Sequence, residues 1–590
     1  MACKPCDRRD FLKAFGLGGT ALYLEGCVRE DKAPKEKSPN IVLVLTDDQG
    51  WGDIHSHGNA MLDTPVMDRL AESGARFDRF YVDPVCAPTR AGVLTGRYPM
   101  RTGVTGVTRG RENMRLDEVT IASVLKQAGY TTGCFGKWHN GAHYPYHPNG
   151  KGFDEFQGFC GGHWTNFFDT RLEHNGEPIR TKGFITDVLT DAALAFIEKN
   201  SNRPFFCYLP YNAPHSPFQV PQRYFDKYKA RGAEDDLASV YGMVENLDDN
   251  LGRLLAKLDE LKIADNTLVI FIGDNGPNTD RYNGGMRARK GSVHEGGLRV
   301  PCFVSWPGRI RPGLTVDRIA AHIDLLPTII ELAGAGSAET LPLDGVSLVP
   351  LLENHIAGWP DRMIFTGFRT NGSVRTQQYR MVVRQGETAE LYDMTVDPGE
   401  QEDIAGERPE PAERLKQAYD IWYKEVTGSG LEVPPIPVGY RQRELVELPA
   451  HEARLEGAVK YKGGSGWAHD WVTGWTDTDS QVSWDLDVVN AGVYEITLMY
   501  TCPEDDIGAE VQVEAGGEIV EGTVQKAHDP EPLPSPDRVP RWEVYEKVWA
   551  PLTLGTVRLK TGKTSLAVRA LSVPGGSAMD LKSVRVRLTD

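Results

Sequence analysis

The sequence predicts an α/β domain followed by an all-β sandwich, and three observations carry this prediction. Residues 41–45, 205–209 and 267–272 are unbroken apolar runs, typical of strands that are buried on both faces of a helix-covered sheet. Helical periodicity separates these runs, most clearly over residues 234–261. After a proline-rich stretch, apolar and polar residues alternate from residue 482 onwards, which is typical of strands with one buried face.

The same sequence patterns predict the remaining helices and strands and the domain boundaries. We expect helices over residues 64–77 and 119–127, the first ending near Gly74. Residues 482–488 and 494–500 are predicted to form a β-hairpin through Asn490-Ala491-Gly492, and later strands are expected at 510–514, 555–560, 564–570 and 581–588. The predicted segments are an N-terminal signal with its linker, the α/β domain, a proline-rich semi-rigid linker and the β-sandwich, with boundaries 1–37, 38–430, 431–447 and 448–590.

Chain length indicates the number of domains, and net charge limits the classes of ligand. A chain of 590 residues is expected to form two or three domains. Its formal net charge of -17 argues against nucleic-acid binding, which requires a basic face, but leaves an anionic small substrate open because substrate charge is met locally. The nine cysteines show neither a dense disulfide framework nor paired zinc-site spacing.

The first residues predict export. Arg8-Arg9 precede a short, mildly apolar stretch, which resembles a twin-arginine signal and is too brief to span a membrane. Leu24-Glu25-Gly26-Cys27 resembles a lipobox in which Glu25 is unusual, and lipidation of Cys27 would be the only contact with a membrane. We therefore expect the protein in the periplasm or at the cell surface; a fortuitous basic and apolar start is the alternative.

Acidic and amide side chains follow two of the predicted buried strands. Asp47 and Asp48 come directly after the first strand, and Asp274 and Asn275 follow the strand at 267–272. Because ligands collect beyond the carboxyl ends of strands in α/β sheets, these oxygen donors are expected to converge. Hard oxygen donors favour Ca²⁺, with Mg²⁺ as the alternative. A simple capping role for the Asp pair is the competing interpretation.

Cys86 lies at a turn that suits an anion. Pro88 fits the first turn of a helix, so the free backbone N–H groups of that helix would face the same space as Cys86. Arg90 adds a permanent cation. Further candidates are Lys137 and His139 in Gly136-Lys137-Trp138-His139, His215 in a loop between two prolines, and Lys290 in a glycine-flanked basic run.

These motifs together resemble one enzyme family. Residues 86–90, Cys-Ala-Pro-Thr-Arg, resemble the signature of the type I, formylglycine-dependent sulfatases of the alkaline phosphatase superfamily. Gly129-Tyr130-Thr131-Thr132 leading into Gly-Lys-Trp-His resembles the second signature, and later landmarks follow in family order up to about residue 427. The resemblance implies an alkaline-phosphatase-like central sheet flanked by helices, with a small antiparallel subdomain and a final helix. Asn140 departs from the leucine common after the histidine.

The resemblance also implies a chemistry. A maturation enzyme would convert Cys86 to Cα-formylglycine; one hydroxyl of the hydrated aldehyde would attack sulfur, and the second would then expel sulfate. The implied metal ligands are Asp47, Asp48, Asp274, Asn275 and the oxygen at position 86. The remaining implied roles are a hold on the hydrate by Arg90, sulfate binding by Lys137 and Lys290, protonation of the leaving group by His215 and proton acceptance by His139.

The C-terminal sandwich is similar to carbohydrate-binding jelly rolls. Trp467, Trp471 and Trp475 are candidates to stack on sugar rings or to fill the sandwich core. Export together with this module favours a sulfated saccharide as substrate. The alternatives are a phosphodiester or phosphonate monoester hydrolase of the same superfamily, and a glycan-binding protein in which Cys86 is never matured.

Overall fold

The computed structural model describes residues 38–336 and 338–590. The predicted export signal, its twin arginines and Cys27 lie outside the described residues. Within those residues, none of the helices combines the length and the apolar character needed to cross a membrane.

The predicted α/β fold is confirmed, and the elements of this α/β part lie within residues 38–427. Its strands are β1 (Asn40–Thr46), β2 (Ala75–Phe77), β3 (Phe80–Tyr81), β4 (Thr131–Lys137), β5 (Glu155–Phe159), β6 (Arg171–His174), β7 (Glu177–Arg180), β8 (Phe205–Pro210), β9 (Thr267–Gly273), β10 (Arg299–Val300), β11 (Cys302–Ser305), β12 (Leu314–Val316), β13 (Ala320–Ala321), β14 (Ile364–Phe368), β15 (Asn371–Arg375), β16 (Tyr379–Arg384) and β17 (Glu390–Asp393). Its helices are α1 (Pro65–Ser73), α2 (Cys86–Thr95), α3 (Ile121–Gln127), α4 (Ile185–Asn200), α5 (Gln222–Ala230), α6 (Asp235–Glu260), α7 (Glu295–Leu298), α8 (Leu325–Leu332), α9 (Val349–Leu352) and α10 (Pro409–Val426).

A mixed ten-stranded sheet organises this part, in the order β12-β2-β11-β9-β1-β8-β4-β5-β6-β7. The central strands β9, β1, β8 and β4 run parallel, and β1 and β9 are buried along their whole length. Separate apolar clusters cover the two faces, which explains why the central strands are apolar at every position instead of alternating. The carboxyl ends of the central strands therefore open onto one edge.

Helix α1 ends next to Gly74, as predicted, but the last residues of the predicted span are not helical. It ends at Ser73, and residues 75–77 form β2, which pairs with β11. A Cβ atom on Gly74 would lie 2.2 Å from the carbonyl oxygen of Val304, so the glycine lets the chain pass close to the neighbouring strand. The periodicity of the helix continued by chance into a strand that only tertiary pairing defines.

The small C-terminal subdomain is confirmed. Strands β14, β15, β16 and β17 form an antiparallel sheet in sequence order, and α10 packs on it. These four strands and α10 are the last elements of the α/β part.

The last part of the chain is a sandwich of two antiparallel-rich sheets, residues 436–590. Its strands are β18 (Ile436–Val438), β19 (Leu445–Pro449), β20 (Arg454–Glu456), β21 (Lys460–Tyr461), β22 (Val472–Thr473), β23 (Gln481–Val488), β24 (Gly492–Thr501), β25 (Glu510–Ala515), β26 (Glu518–Thr523), β27 (Ala550–Leu559), β28 (Gly562–Ser572) and β29 (Asp580–Leu588). The sheet orders are β18-β23-β28-β25-β26, with β20 beside β23, and β21-β22-β29-β24-β27, with β19 beside β29.

The predicted hairpin is wrong. β23 pairs with β28 and β24 pairs with β27 and β29, so the two strands belong to opposite sheets. Alternation marks one buried face on each strand, but it does not tell whether consecutive strands pair or face each other across the core. The connection at residues 489–491 therefore crosses between sheets.

The proline-rich segment 431–447 is more than the linker that the sequence predicts. Residues 436–438 pair with β23, and residues 445–447 pair with β29. Pro437 is tolerated because β18 is an edge strand, where a missing N–H leaves no central hydrogen bond unmade. Residues 38–590 accordingly form a single compact unit.

Trp467, Trp471 and Trp475, which were candidates for sugar stacking or for filling the core, differ in exposure. Trp475 and Trp471 are buried, at 0% and 3% exposure, whereas Trp467 is 40% exposed. Two of them therefore belong to the interior, and one remains available at the surface.

Candidate active site

Two adjacent strand ends bring the predicted metal ligands together. β1 and β9 pair in parallel register up to their last residues, so the side chains that follow them leave the sheet side by side. The Asp48 amide donates to Asp274 Oδ1 at 3.0 Å, and Asn275 Nδ2 donates to Asp48 Oδ1 at 2.8 Å. Asp47 lies in the same group, and all four residues are fully buried. The expected convergence of these side chains is thus present.

The donor set fits a divalent hard cation. Asp47 Oδ1, Asp48 Oδ2 and Asn275 Oδ1 are buried oxygens without a hydrogen-bond partner. An oxygen of Asp47, an oxygen of Asp274 and Cys86 Sγ all lie within 4.8 Å of one another. Buried unpaired carboxylate oxygens are costly, and a bound cation would satisfy them.

Cys86 begins helix α2. It is buried, and the preceding residue, Val85, provides no side-chain cap, so the first amides of the helix keep their free N–H groups. Asn140 Nδ2 donates to the carbonyl oxygen of Ala87 at 3.0 Å and fixes this turn against the loop that carries His139. The departure at position 140 therefore has a structural use here.

Arg90 is completely buried and braces the site. Its Nε and Nη2 donate to Asp274 Oδ2 at 3.1 and 2.9 Å, and Nη1 donates to the carbonyl oxygen of Lys137 at 2.6 Å. Burial and the neighbouring Asp47 raise the pKa of Asp274 to about 6, while Arg90 opposes them. Arg90 thereby keeps a carboxylate charged in a place where burial disfavours it.

The two predicted lysines neutralise the other two carboxylates. Lys137 Nζ lies 2.7 Å from Asp47 Oδ2, and Lys290 Nζ lies 2.6 Å from Asp48 Oδ1. Although burial by itself raises the pKa of Asp48, the Lys290 ammonium and His215 outweigh burial and lower it. Lys290 keeps 20% side-chain exposure, whereas Lys137 has none, so Lys290 faces the entrance.

His215 lies between the entrance and the acidic cluster. Its Nδ1 lies 2.7 Å from the carbonyl oxygen of Ser216, so Nδ1 carries the hydrogen and Nε2 is free. Nε2 lies 3.7 Å from Asp48 Oδ2. Burial and Lys290 lower the pKa of His215 to about 4. The ring is therefore neutral until a negative charge enters the site.

His139 is buried in the opposite tautomer. Its Nε2 lies 2.9 Å from the carbonyl oxygen of Val107, so Nε2 carries the hydrogen, and Nδ1 has no partner. Burial and the Lys137 ammonium lower the pKa of His139 well below its ordinary value. Nδ1 is thus a free, buried proton acceptor.

One buried ion pair behind the site was not predicted. Arg281 donates from Nε and Nη2 to Asp53, with a shortest distance of 2.7 Å, and from Nη2 to the carbonyl oxygen of Asp48 at 2.7 Å. Asp48 has a φ of 66°, in the left-handed region, and this contact helps to hold it there. The sequence indicates this pair only by position: Asp53 lies a few residues after Asp48, and Arg281 lies a few residues after Asn275.

The sandwich also reaches the entrance, which no motif indicated. Ser216 Oγ donates to the Glu543 carboxylate, and Gln219 Nε2 donates to Asp537 Oδ1 at 2.6 Å. The ring of His163 stacks on His215 at 6.4 Å between centroids and lies 5.5 Å from His469 of the sandwich. In the sequence, the Gly161-Gly162 pair could have drawn attention to His163. No local sequence feature distinguishes Glu543 or His469.

A separate cluster, His147 with Cys160 and Glu173, is not arranged for a metal. His147 Nδ1 accepts the Asn149 amide at 3.2 Å, so a neutral ring carries its hydrogen on Nε2, which lies 3.1 Å from Glu173 Oε1. Nε2 then has no lone pair to offer an ion, and the lone pair of Nδ1 is already engaged by the Asn149 amide. This group is a hydrogen-bonded brace.

Comparison with known proteins identifies the family. A sequence profile described as Sulfatase matches residues 39–335, and one described as N-sulphoglucosamine sulphohydrolase, C-terminal, matches residues 288–418. Human arylsulfatase A is 34% identical over 458 residues, which is 65% of this chain and 87% of that protein. N-acetylgalactosamine-6-sulfatase of the dog is 34% identical over 351 residues, 53% of this chain and 66% of that protein.

Solved structures agree with this family. The crystal structure of Ps i-CgsB in complex with k-i-k-neocarrahexaose superposes with a TM-score of 0.62 and 31% identity, covering 65% of this chain and 93% of that one. Neither profile reaches the sandwich. With the buried site above, these matches show that the chain belongs to the sulfatase family and is a sulfuric ester hydrolase.

Proposed function

We propose that the enzyme hydrolyses a sulfate ester of a sulfated carbohydrate, with residue 86 matured to formylglycine and one divalent cation, Ca²⁺ first and Mg²⁺ second, in the site. One observation carries this proposal. Cys86 Sγ lies within 4.8 Å of oxygens of both Asp47 and Asp274, at the start of a helix. A side chain in that position can share a cation with the carboxylates and face a bound ester.

The formylglycine and the cation would each supply one part of the chemistry. The hydrated aldehyde would provide a hydroxyl nucleophile, and a cation held by Asp47, Asp48, Asp274 and Asn275 would provide positive charge at the sulfate and the nucleophile. The unpaired buried oxygens of three of these residues support that ligand set.

The chain's own residues account for binding and proton transfer. Lys290 faces the entrance and Lys137 the interior, so the two ammonium groups are placed to bind different sulfate oxygens. His215 Nε2 gives a proton to the leaving oxygen, since the negative charge of the bound ester favours the protonated ring. His139 Nδ1 accepts a proton from residue 86. Arg90 keeps Asp274 charged and in place.

The carbohydrate assignment rests on a relative and on the predicted export. The solved relative Ps i-CgsB, 31% identical, is in complex with a neocarrahexaose. The twin-arginine-like start supports export of this chain, and an exported sulfatase would meet sulfated polysaccharides outside the cytoplasm. A sandwich beside the entrance is consistent with a large substrate.

The test is the chemical state of residue 86 in active enzyme. Peptide mass spectrometry should find aldehyde at that position, and Cys86→Ala should lower kcat on 4-nitrophenyl sulfate by at least about 10³-fold. Cys302→Ala, which removes a buried thiol of the ten-stranded sheet, serves as the matched control and should keep activity. Fully active enzyme that contains only thiol would overturn the proposed nucleophile. A screen of defined sulfated saccharides then tests the substrate class.

A further inference from the structure

A cleft of about 690 Å³ separates residues 164–180 of the α/β part from the sandwich. It starts next to the active site. His469 lines the cleft, and its ring lies 5.5 Å from His163, which in turn stacks on His215. One layer of side chains therefore separates the cleft from the proposed proton donor. The cleft is large enough for one or more sugar units.

Two arginines in the cleft have no ion-pair or hydrogen-bond partner among the described residues. Arg171 and Arg180 face each other directly across the β6-β7 pair, and both are exposed. Neither side chain forms an ion pair or a hydrogen bond with any residue within 38–336 or 338–590. Like charges opposite each other on neighbouring strands are unfavourable. An anion bound between or above the two guanidinium groups would offset this repulsion.

The other basic side chains of the cleft are already neutralised. Lys582 lies 2.9 Å from Glu546, and Arg585 lies 3.3 Å from Glu447. Lys547 is paired with Asp529 at 2.8 Å. Asp169, an exposed carboxylate that forms no ion pair with the described residues, also lines the cleft, so two arginines against this one carboxylate leave a net positive charge there, in a chain whose formal net charge is -17.

Aromatic rings are held beside these charges. Trp549 packs on Trp471 at 5.3 Å between centroids and donates from Nε1 to Glu546 Oε1 at 2.7 Å. Trp164 stacks on Phe159 at 4.9 Å. Both indoles line the cleft and remain partly exposed. Fixed aromatic faces next to guanidinium groups suit a sugar ring that carries an anionic substituent.

We infer that this cleft binds an anionic sugar unit of the substrate chain, next to the unit that loses its sulfate, with Arg171 and Arg180 clamping the anionic group. The group is a sulfate ester or a carboxylate, which guanidinium forks recognise in the same way. The choice of a saccharide rests on the proposed function; the anion clamp rests on the arginines. The sandwich therefore contributes one wall of the binding site for an extended substrate.

The test measures binding without turnover. Full-length Cys86→Ala protein is titrated with dextran sulfate, carboxymethyl dextran and neutral dextran, each with and without the double change Arg171→Ala/Arg180→Ala. The matched control, Arg69→Ala/Arg558→Ala, removes the same charge from exposed arginines outside the cleft. We expect the clamp variant to bind dextran sulfate at least about tenfold more weakly, and the control to stay within about twofold of the parent.

The outcomes separate the sources of the anion and the two proposals. Equal loss for carboxymethyl dextran shows that the clamp accepts carboxylates as well; a loss confined to dextran sulfate shows selection for sulfate esters. Unchanged affinity in the clamp variant, or equal weakening in both variants, would overturn the inference. In protein with native residue 86, the clamp variant should keep its kcat/KM on 4-nitrophenyl sulfate. Failure of every sulfated saccharide as a substrate would defeat the proposed function and leave the binding result standing.

Discussion

The reaction centre and the sandwich use buried polar groups in opposite ways. At the reaction centre, Asp47, Asp48 and Asp274 are fully buried at the ends of central strands. In the sandwich the core is apolar, and the two least exposed carboxylates among its described residues, Asp470 and Glu543, lie on loops. The first arrangement is costly for folding and is explained by chemistry. In the second arrangement the apolar core stabilises the sandwich, while the carboxylates on its loops are free to contact other groups.

This difference also shows how the two parts depend on each other. The reaction centre is formed by strand ends and one helix start, all within the α/β part. Its entrance is completed by sandwich side chains that bond to the residues flanking His215. The chemistry is therefore local to one part, whereas access to it is shared by both.

Among the tests that compare the two parts, loss of the sandwich is expected to have the broadest effect. A chain ending at Tyr440 loses the partners of Ser216 and Gln219, and the loop carrying His215 is no longer held. Because small displacements of catalytic groups are expensive, kcat/KM on 4-nitrophenyl sulfate should fall at least about a hundredfold. Full-length Gln219→Ala is the control for loss of a single contact. A truncated chain with native circular dichroism and full activity would show that the sandwich is dispensable for the reaction centre.

The second prediction tests the buried charges of the reaction centre. Asp274→Asn removes a proposed metal ligand and the carboxylate that pairs with buried Arg90. We expect metal content, measured by elemental analysis, to fall and activity to drop about a hundredfold, with unfolding easier by about 3 to 5 kcal/mol. Asp280→Asn, a nearby carboxylate that is 91% exposed, should change neither. Full activity of chelator-treated enzyme would contradict the metal site.

A third prediction uses small substrates, which reach the reaction centre but not the cleft. The site balances three carboxylates with Arg90, Lys137 and Lys290, so only a bound cation leaves a surplus of positive charge. With a divalent cation the surplus is two positive charges, which would also neutralise a phosphate dianion, so the expected preference for sulfate rests on the family that the comparisons show. We expect kcat/KM on 4-nitrophenyl sulfate to exceed that on 4-nitrophenyl phosphate by at least about tenfold, or roughly 1.4 kcal/mol. Equal or reversed values would indicate a phosphohydrolase-like centre.

The smallest effect concerns a carboxyl pair between the two parts. Burial and repulsion from Glu452 of the sandwich raise the pKa of Glu112, and burial raises that of Glu452. Since the folded pKa values exceed those of the unfolded chain, the pair's contribution becomes unfavourable as the pH rises from about 4 to 8. Glu112→Gln should therefore melt a few degrees higher than the parent at pH 8 and equally at pH 4. Glu407→Gln, at an exposed position, is the control; a pH-independent difference would exclude this cause.

Much of the reaction centre could be predicted from the sequence because its parts are local. Asp47, Asp48, Asp274 and Asn275 each follow a buried strand, and parallel strands must end at a common edge. Cys86 and Arg90 lie on consecutive turns of one helix. Local pattern and the rules of parallel sheets are sufficient to bring such groups together.

Only the tertiary structure decided how strands pair and how the two parts meet. The alternation in β23 and β24 fixed a buried face on each, but pairing in opposite sheets depends on partners far along the chain. Glu543, His469 and the opposed Arg171 and Arg180 have no local signature either, because their role comes from packing of the sandwich against residues 163–219. Periodicity reports burial of a single element, whereas contacts between distant segments depend on the packing energy of the whole fold.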